Sequence, residues 1–103
     1  MKYEIWQLPL SNKAKFNHYD WIKEKPTITD YVMVYSGKCE PQEHIMDLLE
    51  NLFYIFNEEH PSDYHAASLS VSDLVCLIDT NNKREWWFVD GFGFKNYNDD
   101  INI

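Results

Sequence analysis

Four stretches of the chain are short, rich in β-branched, aromatic and aliphatic residues, and bounded by turn residues, a pattern typical of β-strands. They are Tyr3–Leu8, Tyr31–Ser36, Leu74–Ile78 and Trp86–Val89. The last two predict an antiparallel hairpin whose loop is Thr80–Arg84. Pro9 ends the first strand and Gly37 ends the second.

A single stretch, Gln42–Asn57, has the periodicity of an amphipathic helix. Its apolar residues recur at i, i+3, i+4, i+7, i+8 and i+11, and they are Ile45, Leu48, Leu49, Leu52, Phe53 and Phe56. Pro41 suits the first turn of such a helix because the N–H that it lacks would have no partner there. The apolar stripe must be buried, and we expect it to lie against the sheet.

The other segments have weaker patterns. Ser11–Lys25 mixes apolar residues with Asn and Asp, which predicts a loop with one irregular helix. Gly91 and Gly93 permit a sharp bend or a bulge after the hairpin, with the rings of Phe92 and Phe94 both reaching the core. Residues 96–103 are predicted to form a weakly ordered tail. The pattern therefore predicts one α+β domain over residues 1–103, in which a small antiparallel sheet of about four strands packs against one long helix.

The composition is both hydrophobic and acidic. Apolar residues make up 45% of the 103 residues, too many for a disordered acidic tail. The 17 Asp and Glu against 9 Lys and Arg give a net charge of −8, which argues against direct binding to nucleic acid or to an anionic membrane. A partner attracted by charge should therefore be basic. The first ten residues resemble neither a signal peptide nor a membrane span, so we expect a cytoplasmic protein with Cys39 and Cys76 as free thiols.

Three side chains suggest a metal site. His60 and His65, with Asp63 between them, are residue types that ligate zinc. Their spacing spans a proline and a predicted loop, and no third or fourth ligand is fixed nearby. Surface histidines are the simpler interpretation, and we expect no metal and no cofactor.

Three serines, Ser68, Ser70 and Ser72, lie close in sequence to His65 and Asp73 and suggest a nucleophile. A catalytic triad is defined by its geometry in space, however, and no Gly-x-Ser-x-Gly motif occurs. The simpler interpretation is that Ser70, Ser72 and Asp73 form hydrogen bonds in the turn that leads into the hairpin. We therefore predict no catalytic residue.

The outer face of the predicted helix carries an acidic ridge, which we define as Glu43, Asp47, Glu50, Tyr54 and Glu58. These residues recur every three or four positions and so share one side of a helix. At ~5.4 Å per turn, their charges are spaced about as densely as those of a nucleic-acid backbone, so the ridge is a candidate to occupy a basic groove on another protein. The alternative is that the ridge is only the solvated face of an amphipathic helix.

Adjacent tryptophans, Trp86 and Trp87, should point to opposite faces of their strand. One can belong to the core, and the other needs either cover from the N-terminal segment or a role as an aromatic anchor in an interface. Both tryptophans and Phe92 complete the predicted set of partner-binding residues.

Several segments resemble the YodL-like domain family. They are Phe56-Asn57, the PSDY of residues 61–64, the SLSVSD of residues 68–73 and the VDGFGF of residues 89–94, and Trp6-Gln7-Leu8 and the strand before Gly37 fit as well. The chain departs from the family pattern at Asp90-Gly91 and at Ala66-Ala67. The resemblance implies a small α+β domain, frequent in proteins carried by conjugative elements and phages of Gram-positive bacteria, and it implies no enzyme activity.

The small size, the acidic ridge and this resemblance together suggest a function. We expect a non-enzymatic binding protein of a mobile element that inhibits a host defence nuclease, of the anti-CRISPR or antirestriction type, by binding to it. The alternative is a cellular regulatory adaptor that binds a non-nuclease protein through exposed aromatic residues. The sequence leaves the partner and the oligomeric state open.

Overall fold

A computed structural model describes all residues from Met1 to Ile103. It has five strands, one α-helix and two single-turn 3-10 helices. In chain order these are β1 (Lys2–Gln7), the 3-10 helices Tyr19–Trp21 and Ile28–Asp30, β2 (Val32–Lys38), α1 (Ile45–Glu58), β3 (Leu74–Ile78), β4 (Arg84–Asp90) and β5 (Gly93–Asn96). The prediction of an α+β fold is confirmed. Neither the α-helix nor the 3-10 helices are long and apolar enough to cross a membrane.

All five strands form one antiparallel sheet with the order β2-β1-β3-β4-β5. The sequence predicts about four strands, and the fifth is β5, where only a bend or bulge is expected. Its four residues are too few and too polar to give an alternating pattern. Asp90 pairs with Gly93 across a tight turn, and Gly93 has a φ of 89°, a left-handed conformation that glycine adopts without steric strain.

The central strand, β3, is buried on both faces, and all five of its residues are buried. Its sequence shows no polar alternation for that reason. Val75 and Leu77 point to a helix-side core, which also contains Leu48, Leu49, Leu52, Phe56, Tyr3, Ile5, Tyr64, Leu69 and Val89. Leu74, Cys76 and Ile78 point to a loop-side core, which also contains Leu8, Ala14, Ile22, Tyr31, Trp86, Phe88, Tyr97 and Ile101.

The α-helix begins at Ile45, later than the predicted start at Gln42, and its apolar stripe is narrower than predicted. Four stripe residues are buried, namely Leu48, Leu49, Leu52 and Phe56, and each contributes about 1.5–3 kcal/mol to stability. Ile45 is half-buried. Phe53 is exposed because it lies at the margin of the stripe, where its ring packs edge-on against Phe94 at the edge of the sheet, with the centroids 6.5 Å apart.

The loop-side core is covered by irregular chain rather than by a helix. Residues 9–31 wrap over one part of it, and they contain the short 3-10 helix that fits the predicted irregular helix. The sequence predicts a weakly ordered tail for residues 96–103, whereas the structure buries Tyr97 and Ile101. The Tyr97 ring stacks on Phe88 at 5.4 Å, and its hydroxyl donates a hydrogen bond of 2.7 Å to the carbonyl of Pro26.

Candidate partner-binding surface

The acidic ridge is exposed along its whole length. Asp47, Glu50, Tyr54 and Glu58 lie on α1, whereas Glu43 precedes the first helical residue. The Tyr54 hydroxyl donates a hydrogen bond of 3.2 Å to Glu59, which extends the row of polar groups at the end of the helix. Four of the five ridge residues therefore share one helix face, and the fifth flanks it.

The net negative charge of the chain is confined to one segment. Residues 39–82 contain nine Asp or Glu and no Lys or Arg, whereas the remaining residues contain eight acidic and nine basic side chains. This segment includes α1 and its flanking loops. The electrostatic potential outside the helix is therefore negative, while the rest of the surface is close to neutral.

A groove separates α1 from the turn between β4 and β5. Its volume is about 230 Å³, and we call it the helix–hairpin groove. It is lined by Glu50, Phe53, Val89, Asp90, Gly91, Gly93 and Phe94. Glu50 belongs to both the ridge and the groove, so the acidic face continues directly into a partly apolar depression.

Phe92 lies at the tip of the β4–β5 turn, and its side chain is fully exposed. The prediction that the rings of both Phe92 and Phe94 reach the core is wrong for Phe92, because the turn directs its side chain away from the sheet. Phe94 is half-buried against the helix-side core. The ring of Phe92, held between two glycines that line the groove, is therefore accessible to a partner.

The conformation of the turn depends on both of its glycines. A Cβ atom on Gly91 would lie 2.0 Å from Cε1 of His18, and Gly93 has a positive φ. Asp90 holds the turn to the loop side, since its Oδ1 accepts hydrogen bonds from the backbone N–H of Tyr19 at 3.1 Å and of Gly91 at 2.9 Å. Burial acts to raise the pKa of Asp90, but these bonds and His18 outweigh it and hold the pKa below its usual value.

The two tryptophans lie on opposite faces of β4, as predicted. Trp86 is buried in the loop-side core, where Trp6 covers it edge-on with the ring centroids 5.5 Å apart. Trp87 is half-buried and packs against the helix-side core. Trp87 is therefore covered from the helix side of the sheet. The indole N–H groups of Trp86 and Trp87 are both buried without a hydrogen-bond acceptor. Neither ring is as accessible as Phe92.

The SLSVSD segment forms a buried polar network around Asp73. This carboxylate is fully buried, and Oδ2 accepts hydrogen bonds from the N–H of Ser70 at 2.8 Å and from Gln7 Nε2 at 3.1 Å. Lys15 Nζ lies 3.3 Å from Oδ1. Burial raises the pKa of Asp73 to about 6, although these donors act in the opposite direction. A group enclosed in this way cannot reach a substrate.

Ser72 is equally enclosed and makes hydrogen bonds through three of its atoms. Its N–H donates to Val89, its carbonyl accepts from the Tyr31 hydroxyl at 2.7 Å, and its Oγ accepts from the N–H of Phe16 at 3.0 Å. These bonds hold the residue at a φ of 82°, which is uncommon outside glycine. The prediction that Ser70, Ser72 and Asp73 form hydrogen bonds in the turn is confirmed.

The predicted metal candidates do not converge. His60, Asp63 and His65 are exposed, Asp63 accepts a hydrogen bond from the Tyr35 hydroxyl, and no group of three or more His, Cys, Asp or Glu could hold a metal ion. Cys39 and Cys76 are free thiols, as predicted.

Two features of the surface have no counterpart in the sequence-based predictions. Trp21 is largely exposed and packs edge-on against His18, with the centroids 4.4 Å apart. It lines an open, mostly polar cavity of about 720 Å³ formed by residues 11–30. The segment has no periodic pattern, so only the folded chain brings these residues together.

The fold and the enclosed polar network define a small α+β domain with one helix on an antiparallel sheet. The family model of the YodL-like domain matches residues 2–99, so the chain belongs to the YodL-like domain family. No curated protein and no solved structure matches the chain. Gln7 joins the PSDY and SLSVSD segments of the resemblance, since its Nε2 donates both to the Tyr64 hydroxyl at 3.5 Å and to Asp73 Oδ2 at 3.1 Å.

Proposed function

We propose that this protein is a non-enzymatic binding protein that occupies a basic surface of another protein through its acidic helix face. The observation that carries the proposal is the segregation of charge, because residues 39–82 contain nine acidic and no basic residues and include the exposed ridge. Opposite charge on a partner steers association and favours the correct orientation. An exposed phenylalanine beside the ridge adds apolar contact area.

The partner that fits this face best is a nuclease that binds nucleic acid in a basic groove. Asp47, Glu50 and Glu58 span eleven helical steps on one face of α1, about 16 Å at 1.5 Å per residue. That length corresponds to several successive phosphates of a nucleic-acid strand. We therefore propose that the protein belongs to a mobile element and inhibits a host defence nuclease, in the manner of an anti-CRISPR or antirestriction protein.

A cleavage assay tests this proposal. Purified protein is added to CRISPR effector nucleases and restriction nucleases, and cleavage of a target DNA is measured with the wild type and with the Glu43→Ala, Asp47→Ala, Glu50→Ala triple variant. The wild type should co-elute with an effector and block cleavage, and the triple variant should lose both properties. Absence of inhibition across these nucleases contradicts the proposed function.

The chain offers a matched control. Asp20, Glu24 and Asp99 are exposed, lie outside residues 39–82 and make no side-chain hydrogen bond. Replacing these three by alanine changes the net charge by the same amount as the ridge variant. Inhibition should survive in this control, since total charge alone does not place carboxylates on one helix face.

The second candidate function is that of a regulatory adaptor that binds a non-nuclease protein through aromatic residues. The fully exposed ring of Phe92 favours it, together with the exposed rings of Phe53 and Tyr54 on α1. Salt distinguishes the two candidates. Binding by nucleic-acid mimicry should weaken steeply between 50 and 500 mM salt, whereas binding by an aromatic anchor should change little.

A further inference from the structure

We infer that the helix–hairpin groove receives an arginine side chain of the partner. This inference rests on the proposed binding function and adds the chemistry of the residue that is recognised. The groove lies where the acidic ridge meets the β4–β5 turn, with Glu50 on one side and the two glycines of the turn on the other.

The volume of the groove suits one side chain better than a larger ligand. Pockets that bind small molecules have volumes of roughly 300–1,000 Å³. The helix–hairpin groove measures about 230 Å³ and is open to solvent. It is therefore too small for a cofactor-sized ligand, while one long side chain fits.

The lining of the groove suits a side chain with an apolar stem and a cationic end. Phe53, Val89 and Phe94 supply apolar surface, against which the methylene groups of a long basic residue pack favourably. Glu50 is exposed and makes no side-chain hydrogen bond, so its carboxylate is free to accept from a cation. Asp90 is less suited, since its Oδ1 already accepts two backbone hydrogen bonds.

Arginine matches these groups better than lysine. A guanidinium group is planar, stacks on aromatic rings and forms paired hydrogen bonds with a carboxylate, whereas an ammonium group is compact and strongly hydrated. The groove offers the rings of Phe53 and Phe94 beside two carboxylates, of which that of Glu50 makes no hydrogen bond. An acidic occupant is disfavoured because the groove has no basic residue, and an apolar one would desolvate Glu50 without pairing it.

Two peptides of equal charge test the inference. Hexa-arginine and hexa-lysine are titrated into the isotopically labelled protein at 150 mM salt, and amide chemical shifts are followed by NMR. We expect hexa-arginine to bind at least threefold more tightly than hexa-lysine, with the largest shifts at Phe53, Gly91 and Gly93. Equal affinities of the two peptides would show that only diffuse charge attraction operates, and would overturn the inference.

Three variants locate the binding. Glu50→Gln should weaken the binding of hexa-arginine by a factor of about five, whereas Glu58→Gln, which removes the same charge eight positions further along the ridge, should change it less than twofold. Phe92→Ala should change it less than twofold and leave the fold intact, because this fully exposed ring does not line the groove. Equal effects of Glu50→Gln and Glu58→Gln would also overturn the inference.

Failure of this inference is distinguishable from failure of the proposed function. If the two peptides bind equally but the triple ridge variant loses inhibition in the cleavage assay, the acidic face is functional and the groove is not specific for arginine. If the wild type inhibits no nuclease and yet prefers hexa-arginine, the groove is an arginine site and its natural partner belongs to another class of protein.

Discussion

The two faces of the sheet are covered in different ways. The helix-side face is closed by one amphipathic helix whose four buried residues lie on a regular stripe, and the outer surface of that helix is acidic. The loop-side face is closed by residues 9–31 and by the C-terminal segment, which have little regular structure yet bury Ile22, Tyr97 and Ile101. A core of eleven buried residues therefore forms on each face, under a periodic helix on one side and under irregular chain on the other.

The largest effects on stability are expected from two substitutions, one in each core, which test whether the irregular face contributes as much stability as the helical face. Phe56→Ala on the helix side and Tyr97→Ala on the loop side should each lower the free energy of unfolding by about 3–5 kcal/mol, because each removes a fully buried aromatic ring. Urea denaturation measures both. An effect of Tyr97→Ala below about 1 kcal/mol would show that the C-terminal segment is not part of the core, and the exposed Ile103→Ala serves as the control.

The second prediction concerns pH. Because the pKa of Asp73 is raised to about 6 by burial, the folded state binds a proton more tightly than the unfolded state, in which the pKa is near 3.9. Protonation of Asp73 therefore stabilises the fold below about pH 4, and this contribution is lost as the pH rises through about 6. The change is on the order of 2–3 kcal/mol.

Asp73→Asn isolates this contribution, since the amide does not titrate. As the pH falls from 7 to 4, the free energy of unfolding of the wild type should increase relative to that of the variant. Denaturant titrations at several pH values measure it. A difference that is independent of pH would contradict the assignment of a raised pKa to the buried Asp73.

A smaller effect is expected at the turn that joins the two faces. Gly91→Ala should lower the free energy of unfolding by about 1–3 kcal/mol, because the added methyl group overlaps the ring of His18. The double variant with His18→Ala should recover part of this loss, as contacting residues are not additive. Without recovery, the overlap with His18 would not be the cause of the destabilisation.

The smallest stability effect is expected on the acidic face. Glu43, Asp47 and Glu50 are exposed and make no hydrogen bond through their side chains, so their replacement by alanine should leave the thermal midpoint almost unchanged. Thermal denaturation of the triple ridge variant measures this. A large decrease in the midpoint would show that the ridge has a structural role and would weaken the case for a binding role.

The sequence predicts the helix-side layer well for a physical reason. The apolar residues of α1 recur at the helical period, and the four predicted strands are short runs rich in β-branched and aromatic residues bounded by turn residues, so these elements could be placed within a few residues. Strand β5 was missed because four residues that begin with glycine carry no such signal, and the exposure of Phe53 depends on how closely the edge of the sheet approaches the helix.

The polar network was predictable only in part. Hydrogen bonds between Ser70 and Asp73 are local and follow from turn chemistry. Gln7 and Lys15 reach the same carboxylate from positions 66 and 58 residues away, and no local pattern indicates such contacts. Likewise, the ridge follows from helical spacing, whereas the groove beside it exists only because the β4–β5 turn folds back next to α1.

The central claim is that the acidic helix face, and not the total charge, binds the partner. The most direct measurement is the dissociation constant of an effector nuclease that the wild type inhibits, determined for three proteins: the wild type, the ridge triple variant and the matched variant at Asp20, Glu24 and Asp99. We expect the ridge variant to bind at least tenfold more weakly and the matched variant to bind within twofold of the wild type. Equal weakening by the two variants would contradict the claim.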